Sequence, residues 1–452
     1  MKRLFLTAVA ALLLSVPASL AQKVNRDALT SAIEKSDADI QDAKKSVKSS
    51  TWLKRAQALY DALEAPVKGI FVTMPSAVLS STCGTPKGQE SVSLPSGQFD
   101  AILYNWITVY VQGDKVVAWT QHKELRPNLY EDIVAALNKT YELDPKSAPK
   151  VKAEIEKLIN FYKQEGNVNY DACQYKRAAV AYQRAYALME LPAYGAPREP
   201  ALLNNAGYLL VFDGATNPAS FAEAEAALLK ALADGYTDET GNIYYYLFHS
   251  YYGQAQQTEG EARQALLLKA KEALTEGIAK YPTNERIIES FLSLYMSEPS
   301  VGNASELIGM IKEAIERDPQ SVEMWSSLAL AYYQMKDFDE AIAAGEKVAE
   351  LAPEAFDSNY RMGIFCAAKG DALIEKMNAT TYTRQAEYDA DYAATNDAYR
   401  AAVPWLEKAH ALQPDNRVIV ETLKTLYFRL RDEEGMMDKY NEYNTLLQQM
   451  QE

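Results

Sequence analysis

The sequence predicts an all-α protein, an α-solenoid of helical hairpins with one small α/β insert in its first repeat. Three observations carry that prediction. Large residues recur at helical spacing in many short segments; each such segment is followed by one rich in alanine that stops at a proline; and between residues 66 and 126 the helical period gives way to alternation.

The pattern is clearest in "MWSSLALAYYQMKDFDEAIAAGEKVAELAP", residues 324–353. Trp325, Leu328 and Tyr332 fall at i, i+3 and i+7 and share one face of a helix. "KDFDE" reads as a turn. Ala341, with small residues at 343, 344 and 345, marks a second helix whose backbone can approach the first closely, and Pro353 forbids its continuation. One hairpin cannot bury both faces, so copies are needed. Tyr244, Leu247 and Tyr251 precede Ala270, Leu274, Gly277 and Pro282, and Ile288, Phe291 and Tyr295 precede Ala314 and Pro319. "LINFYKQEG" precedes "RAAVAYQRAYAL", "NNAGYLL" precedes "AEAEAALLKAL", and "NYRMGIFCA" precedes "AAVPWLEKAHALQP", which stops at Pro414.

These segments resemble tetratricopeptide (TPR) repeats, whose first helix carries a large residue, Leu, Gly or Ala and Tyr, and whose second carries Ala, an aromatic or Leu, Ala and Pro. The copy at 322–355 fits best, with Gly345 where the family prefers an aromatic. The resemblance implies a right-handed solenoid of seven or eight helical pairs.

Along the chain, "MKRLFLTAVAALLLSVPASLAQ" has two basic residues, an apolar run from Leu4 to Val16 and small residues at Ser19 and Ala21. It reads as a secretory signal peptide over 1–21, cleaved before Gln22, which predicts a periplasmic or secreted protein. Its apolar run is short for a membrane span, and no later run is long enough to be one. Residues 22–50 read as a polar connector or cap. "TWLKRAQALYDAL" opens the first helix pair, assigned to 51–145, with "NLYEDIVAALNKTYELDP" as its second helix. Between them, 66–126 reads as a β-rich insert: "FDAILY" is a candidate strand, and "ITVYVQGDKVVAW" a hairpin about a "QGDK" turn. The hairpin would offer an edge for strand addition. "MPSAVLSSTCGTPKG" and the strands after it resemble the small α/β module of SmpA/OmlA-type outer-membrane-assembly lipoproteins. Residues 146–415 form the TPR array, in which "KGDALIEKMNATTYTRQAEYDADYAATNDAYRAAVPWLEKAHALQP" lengthens a loop or the helices of the last full repeat, with Pro404 near the start of a second helix. Residues 416–452 read as capping helices. The segments from about 359 onwards are similar to secreted TPR proteins of Bacteroidota, a family that implies an architecture and no reaction.

The chain is acidic, with a net charge of −15, or about −17 once Lys2 and Arg3 are removed, which argues against nucleic acid or anionic lipid as the main ligand. Cys83, Cys173 and Cys366 show no C-x-x-C spacing; one bridge or three separate thiols are both open. His122, His249 and His410 are scattered, and the phosphate-cradling, dinucleotide and nucleophile-elbow motifs are missing. No catalytic residue, cofactor or metal is expected.

What remains is tyrosine, 30 residues in all, concentrated in "NIYYYLFHSYY" at 242–252. In TPR proteins the first helices line a concave groove, and the resemblance places groove positions at Asn160 and Lys163, Asn204 and Tyr208, Asn242, Tyr245, His249 and Tyr252, Arg286 and Glu289, Ser326 and Tyr333, and Tyr360. Rings beside amide and guanidinium groups suit an extended peptide; alternatively the stripe packs on the next repeat. The expected function is a non-enzymatic periplasmic scaffold that binds a protein segment in a cell-envelope assembly, secretion or transport complex. The competing reading is an envelope glycan-binding protein or enzyme whose rings stack on sugars.

Overall fold

A computed structural model describes residues 25–95 and 97–450; the signal peptide expected at 1–21 lies outside them. The chain divides into two compact units, one ending at Tyr236 and one beginning at Thr237. Each is built from TPR-like helical hairpins, and together they contain eight helix pairs among the described residues.

In the first unit, α1 (Arg26–Gln41) packs on α2 (Ser49–Glu64), and α2 pairs with α4 (Leu129–Leu143). The pairs α5 (Ala148–Asp171) with α6 (Tyr175–Met189) and α7 (Ala201–Gly214) with α8 (Ser220–Ala233) follow. Two arginines hold the start together. Buried Arg55 on α2 reaches Asp37 on α1 at 2.5 Å, and Arg126, just before α4, reaches Asp37 at 2.9 Å and Asp132 at 2.8 Å. Burial raises the Asp37 pKa, but hydrogen bonds from both guanidiniums outweigh it and hold the carboxyl below its ordinary value.

The insert emerges between α2 and α4 as a short helix, α3 (Leu79–Cys83), and a four-stranded antiparallel meander, β1 (Gly88–Leu94), β2 (Gly97–Leu103), β3 (Ile107–Gln112) and β4 (Lys115–Gln121), in sequential order. Alternation sends Ile107, Val109 and Val111 inward along β3, and Phe99 and Ala101 along β2. Gly113, at φ 63°, makes the tight turn from β3 to β4. The β3–β4 hairpin does not offer a clean edge. Residues 73–76 run along β4, with Thr73 N donating to Val116 O at 2.7 Å and Ser76 N to Asp114 O at 2.8 Å. The open edge is β1, which pairs only with β2 among the described residues and is largely exposed. Its sequence, GQESVSL, carries too little apolar alternation to announce a strand. The sheet packs on α5, where fully buried Trp119 on β4 donates its indole N–H to Glu165 at 3.1 Å.

The second unit stacks five pairs: α9 (Asn242–Ala255) with α10 (Gly260–Lys280), α11 (Glu285–Ser297) with α12 (Ala304–Arg317), α13 (Val322–Gln334) with α14 (Phe338–Leu351), α15 (Phe356–Ala379) with α16 (Gln385–Leu412), and α17 (Arg417–Arg429) with α18 (Met436–Gln449). The prolines act as stops. In α10, α12, α14 and α16 the helix gives way at the residue before the proline: Tyr281, Asp318, Ala352 and Gln413 sit at φ −133° to −139°, outside the helical region that a following proline disfavours. The next helices α11 and α13 start on side-chain caps, Asn284 accepting from Ile287 N and Ser321 from Met324 N.

Two further details differ from the sequence reading. Phe338 already belongs to α14, so the hairpin turn is only Met335–Asp337, made possible by Lys336 at φ 60°. And α15 and α16 are both long helices, which places Pro404 inside α16 rather than near its start; the proline has no N–H to give the carbonyl of Arg400 four residues back. Because Lys336 is exposed and occupies a backbone conformation that L-residues resist, Lys336→Gly is expected to stabilise the second unit by about 0.5–1 kcal/mol, read as a higher urea midpoint. A lower midpoint would show that the turn is not strained.

Candidate functional site

First helices of the second unit meet at their starts. The starts of α11, α13 and α15 converge around a cavity of about 320 Å³ lined by Glu285, Ser326 and Arg361, and Arg361 reaches Glu285 at 2.6 Å although they are two repeats apart. Ser326 is thus placed on the cavity wall beside an ion pair.

Upstream, the Tyr-rich helix α9 divides its rings by helical spacing. Tyr244, Leu247, Phe248 and Tyr251 are buried, whereas Tyr245, His249 and Tyr252 are half-buried on the adjoining stripe. Tyr245 lies edge-on to His249 with centroids 4.4 Å apart, and the guanidinium of Arg286, from α11, stands 5.7 Å from the Tyr245 centroid. Burial pulls the His249 pKa down to about 4, so the imidazole is neutral at pH 7. Arg286 is therefore the cation of this cluster. Asn242 starts the same stripe and accepts from Asn284 Nδ2 at 3.3 Å. Tyr252 stacks on Phe248 at 5.5 Å, and its hydroxyl donates to Ser297 at 3.4 Å. Glu289 is exposed one turn along α11 from Arg286.

The remaining positions have other neighbours. Tyr333 packs on Phe338 and on Phe365 of the next repeat, with centroids 5.9 Å and 5.1 Å away, and Tyr360 lies parallel to Phe356 at 5.7 Å against the C-terminal core. In the first unit Lys163 pairs with Glu199 at 2.6 Å, exposed Asn160 lines a cavity of about 330 Å³ beside Tyr60 and Gln164, and Asn204 is buried with its side-chain oxygen unpartnered. Tyr208 belongs to a circuit of four rings with Tyr170, Tyr175 and Phe212, neighbouring centroids lying 5.8–6.4 Å apart; Tyr170 and Phe212 are about half exposed. Helical register reached Tyr208 but not this circuit, because Tyr175 and Phe212 do not occupy repeat positions that the TPR pattern marks.

Cys83, Cys173 and Cys366 are all unpaired, and burial pushes the thiols of Cys83 and Cys366 up to about 11, which makes them poor nucleophiles. Among the described residues, no group of three or more His, Cys, Asp or Glu side chains could hold a metal ion, and no helix is long and apolar enough to cross a membrane.

No family model matches the chain, and no curated protein sequence matches it. Solved structures of helical-repeat proteins are similar at low identity. MamA is 17% identical, with 42% of this chain and 90% of that one covered at a TM-score of 0.27. A thermophilic TPR protein of Thermus thermophilus is 21% identical, with 47% and 98% covered at 0.27. A monomeric IFIT1 mutant, solved with Gppp-AAAA, is 14% identical, with 70% and 68% covered at 0.30. At such TM-scores the likeness carries no argument for this chain, whose helical-repeat fold rests on its own packing.

Proposed function

We propose that this protein is a non-catalytic scaffold whose second unit holds an extended protein segment along its first helices. The observation that carries this reading is the Tyr245–His249–Arg286 cluster, continued by Tyr252: rings supply rigid contact area, while Arg286, Asn242 and the tyrosine hydroxyls supply polar partners for a peptide backbone. The leader-like start supports export, and with it a role in a periplasmic, cell-envelope assembly, secretion or transport complex.

The experiment is crosslinking in cells followed by capture with the wild type and with the Tyr245→Ala/Tyr252→Ala variant. The double variant is expected to lose partner capture by at least ~10-fold while its melting temperature falls by only a few degrees, because half-buried rings on an open stripe contribute more to a ligand than to the core. Unfolding of the variant, or capture at the wild-type level, would show that these rings are packing residues.

A second reading, glycan binding, is favoured by the half-exposed rings of the Tyr170–Tyr175–Phe212–Tyr208 circuit, whose faces suit stacking on sugars. Saturable binding to peptidoglycan or polysaccharide, with no protein co-purifying, would decide for it.

A further inference from the structure

A cavity of about 370 Å³ in the first unit lies between the insert and the α5–α6 pair. Most of its wall comes from three places, with Leu63 of α2 adding to it. The segment after β4 supplies His122, Lys123 and Glu124; α5 supplies Phe161, Tyr162, Glu165 and Asn169; α6 supplies Arg177, Val180 and Arg184. A cavity of this volume stands at the small end of the range for ligand pockets, about the size for a monosaccharide.

The charges are arranged for an anion. Lys123 is exposed and makes no ion pair among the described residues. Arg177 uses one N–H on the backbone oxygen of Gln121, at 2.7 Å, and keeps the rest of its fork. Arg184 is stacked over Tyr130 and Tyr162, 4.7 Å and 5.5 Å from the ring centroids; this fixes its plane and presents its N–H edge, which otherwise meets only Glu131 at 3.4 Å among the described residues. Lys176 is committed to Glu223. Opposing these cations are Glu124 and Glu165; burial raises the pKa of both, that of Glu165 to about 7, which blunts the negative charge of Glu165. In a chain of net charge −15 this is a local excess of positive charge.

The wall is also polar without being self-satisfied. His122 Nε2, Tyr162 Oη and Asn169 Oδ1 are buried with no hydrogen-bond partner, and Tyr162 and Asn169 are themselves 4% and 3% exposed. Unmade bonds of this kind are costly, and three of the eight such atoms described in the chain belong to residues lining this one cavity.

We propose that the cavity between the insert and the α5–α6 pair binds a small hydroxylated anion of monosaccharide size, its carboxylate or phosphate held by Lys123, Arg177 and Arg184 and its hydroxyls by the acceptor oxygens of the wall. Phe161 and Val180 give the ligand an apolar side to lie on. The insert has a role in this arrangement that the repeats alone cannot fill, since it brings Lys123 and His122 to the cavity.

Titration calorimetry on the full chain tests the proposal with three probes of one ring size: glucuronate, glucose 6-phosphate and uncharged glucose. At least one charged sugar is expected to bind saturably and at least ~10-fold more tightly than glucose, a difference of about 1.4 kcal/mol. Glucuronate alone would assign a carboxylate, glucose 6-phosphate alone a phosphate, and both a site that reads charge. Lys123→Gln/Arg177→Gln should weaken that binding at least ~10-fold with a melting temperature lowered by no more than a few degrees, since Arg177 also holds Gln121 O, and Lys123→Gln alone, at an exposed unpaired side chain, should weaken it in the same direction with an unchanged melting temperature. Lys150→Gln, exposed and outside the cavity, should have no effect. Equal binding of glucose, no saturable heat with any probe up to about 10 mM, or wild-type affinity in the double variant would overturn the assignment. Because the site lies in the first unit, its failure is separate from failure of the peptide-binding reading in the second.

Discussion

Gly345→Phe, which installs the aromatic that the TPR pattern prefers, is expected to destabilise the second unit by about 3 kcal/mol or more, whereas Gly345→Ala is expected to be near neutral. Gly345 is buried on α14, and a Cβ built there would overlap Met362 Sδ and come within 3.4–3.5 Å of the Phe365 ring. The slot that an aromatic fills in the TPR pattern is already occupied, from the next repeat, by Met362 and Phe365. Alanine asks only that the thioether move aside, and its gain of about 1 kcal/mol in helix propensity over glycine offsets that shift. Phenylalanine has no such way out. Urea denaturation followed by circular dichroism measures both variants, and Gly345→Phe combined with Met362→Ala should recover part of the loss because it vacates the same space. A Gly345→Phe protein as stable as the wild type would mean that α14 and α15 do not meet as closely as described.

The second large effect is a pH dependence built around Glu165. Its carboxyl lies between Trp119 and Asn169, accepting from the indole N–H at 3.1 Å and from Asn169 Nδ2 at 3.4 Å; burial dominates these bonds and raises its pKa from 4.5 to about 7. Between those two values the folded chain holds a proton that the unfolded chain has released. The unfolding free energy therefore falls as pH rises from about 4.5 to about 7, the reverse of the usual carboxylate behaviour. At 1.36 kcal/mol per pKa unit the full effect is about 3 kcal/mol at most. Glu165→Gln is neutral at every pH and keeps an oxygen for the Trp119 N–H, so the stability difference between variant and wild type should be small near pH 4.5 and grow in favour of the variant by about 2–3 kcal/mol at pH 8. Paired urea titrations at the two pH values measure it. A difference that does not change with pH would show that Glu165 titrates as an ordinary surface carboxylate.

These two residues also mark where the sequence stops being informative. Gly345 can be seen to depart from the repeat pattern, but nothing along the chain says that Met362, seventeen positions on, takes its place. Glu165 looks like one more acid on an amphipathic helix, because its environment is made by Trp119, a residue of the insert that precedes the helix by a whole repeat element.

Local periodicity determined the hairpins. Spacing of i, i+3 and i+7, small residues in the second helix and a terminating proline are properties of single helices, and they were enough to place the all-α repeat architecture, the helix ends before Pro282, Pro319, Pro353 and Pro414, and the change to β-structure in the insert. Tertiary structure alone decided what those elements do to one another. It covered the β4 edge with residues 73–76 and left β1 open, it carried α16 straight through Pro404, it set Arg286 beside Tyr245 while packing Tyr333 against Phe365, and it gathered Lys123 from the segment after β4 and Arg177 and Arg184 from α6 around one cavity. The physical reason is range. Helical and strand periods are written by neighbours within a few residues, whereas burial, pKa and charge clustering depend on contacts between side chains tens of residues apart, whose partners no local spacing specifies.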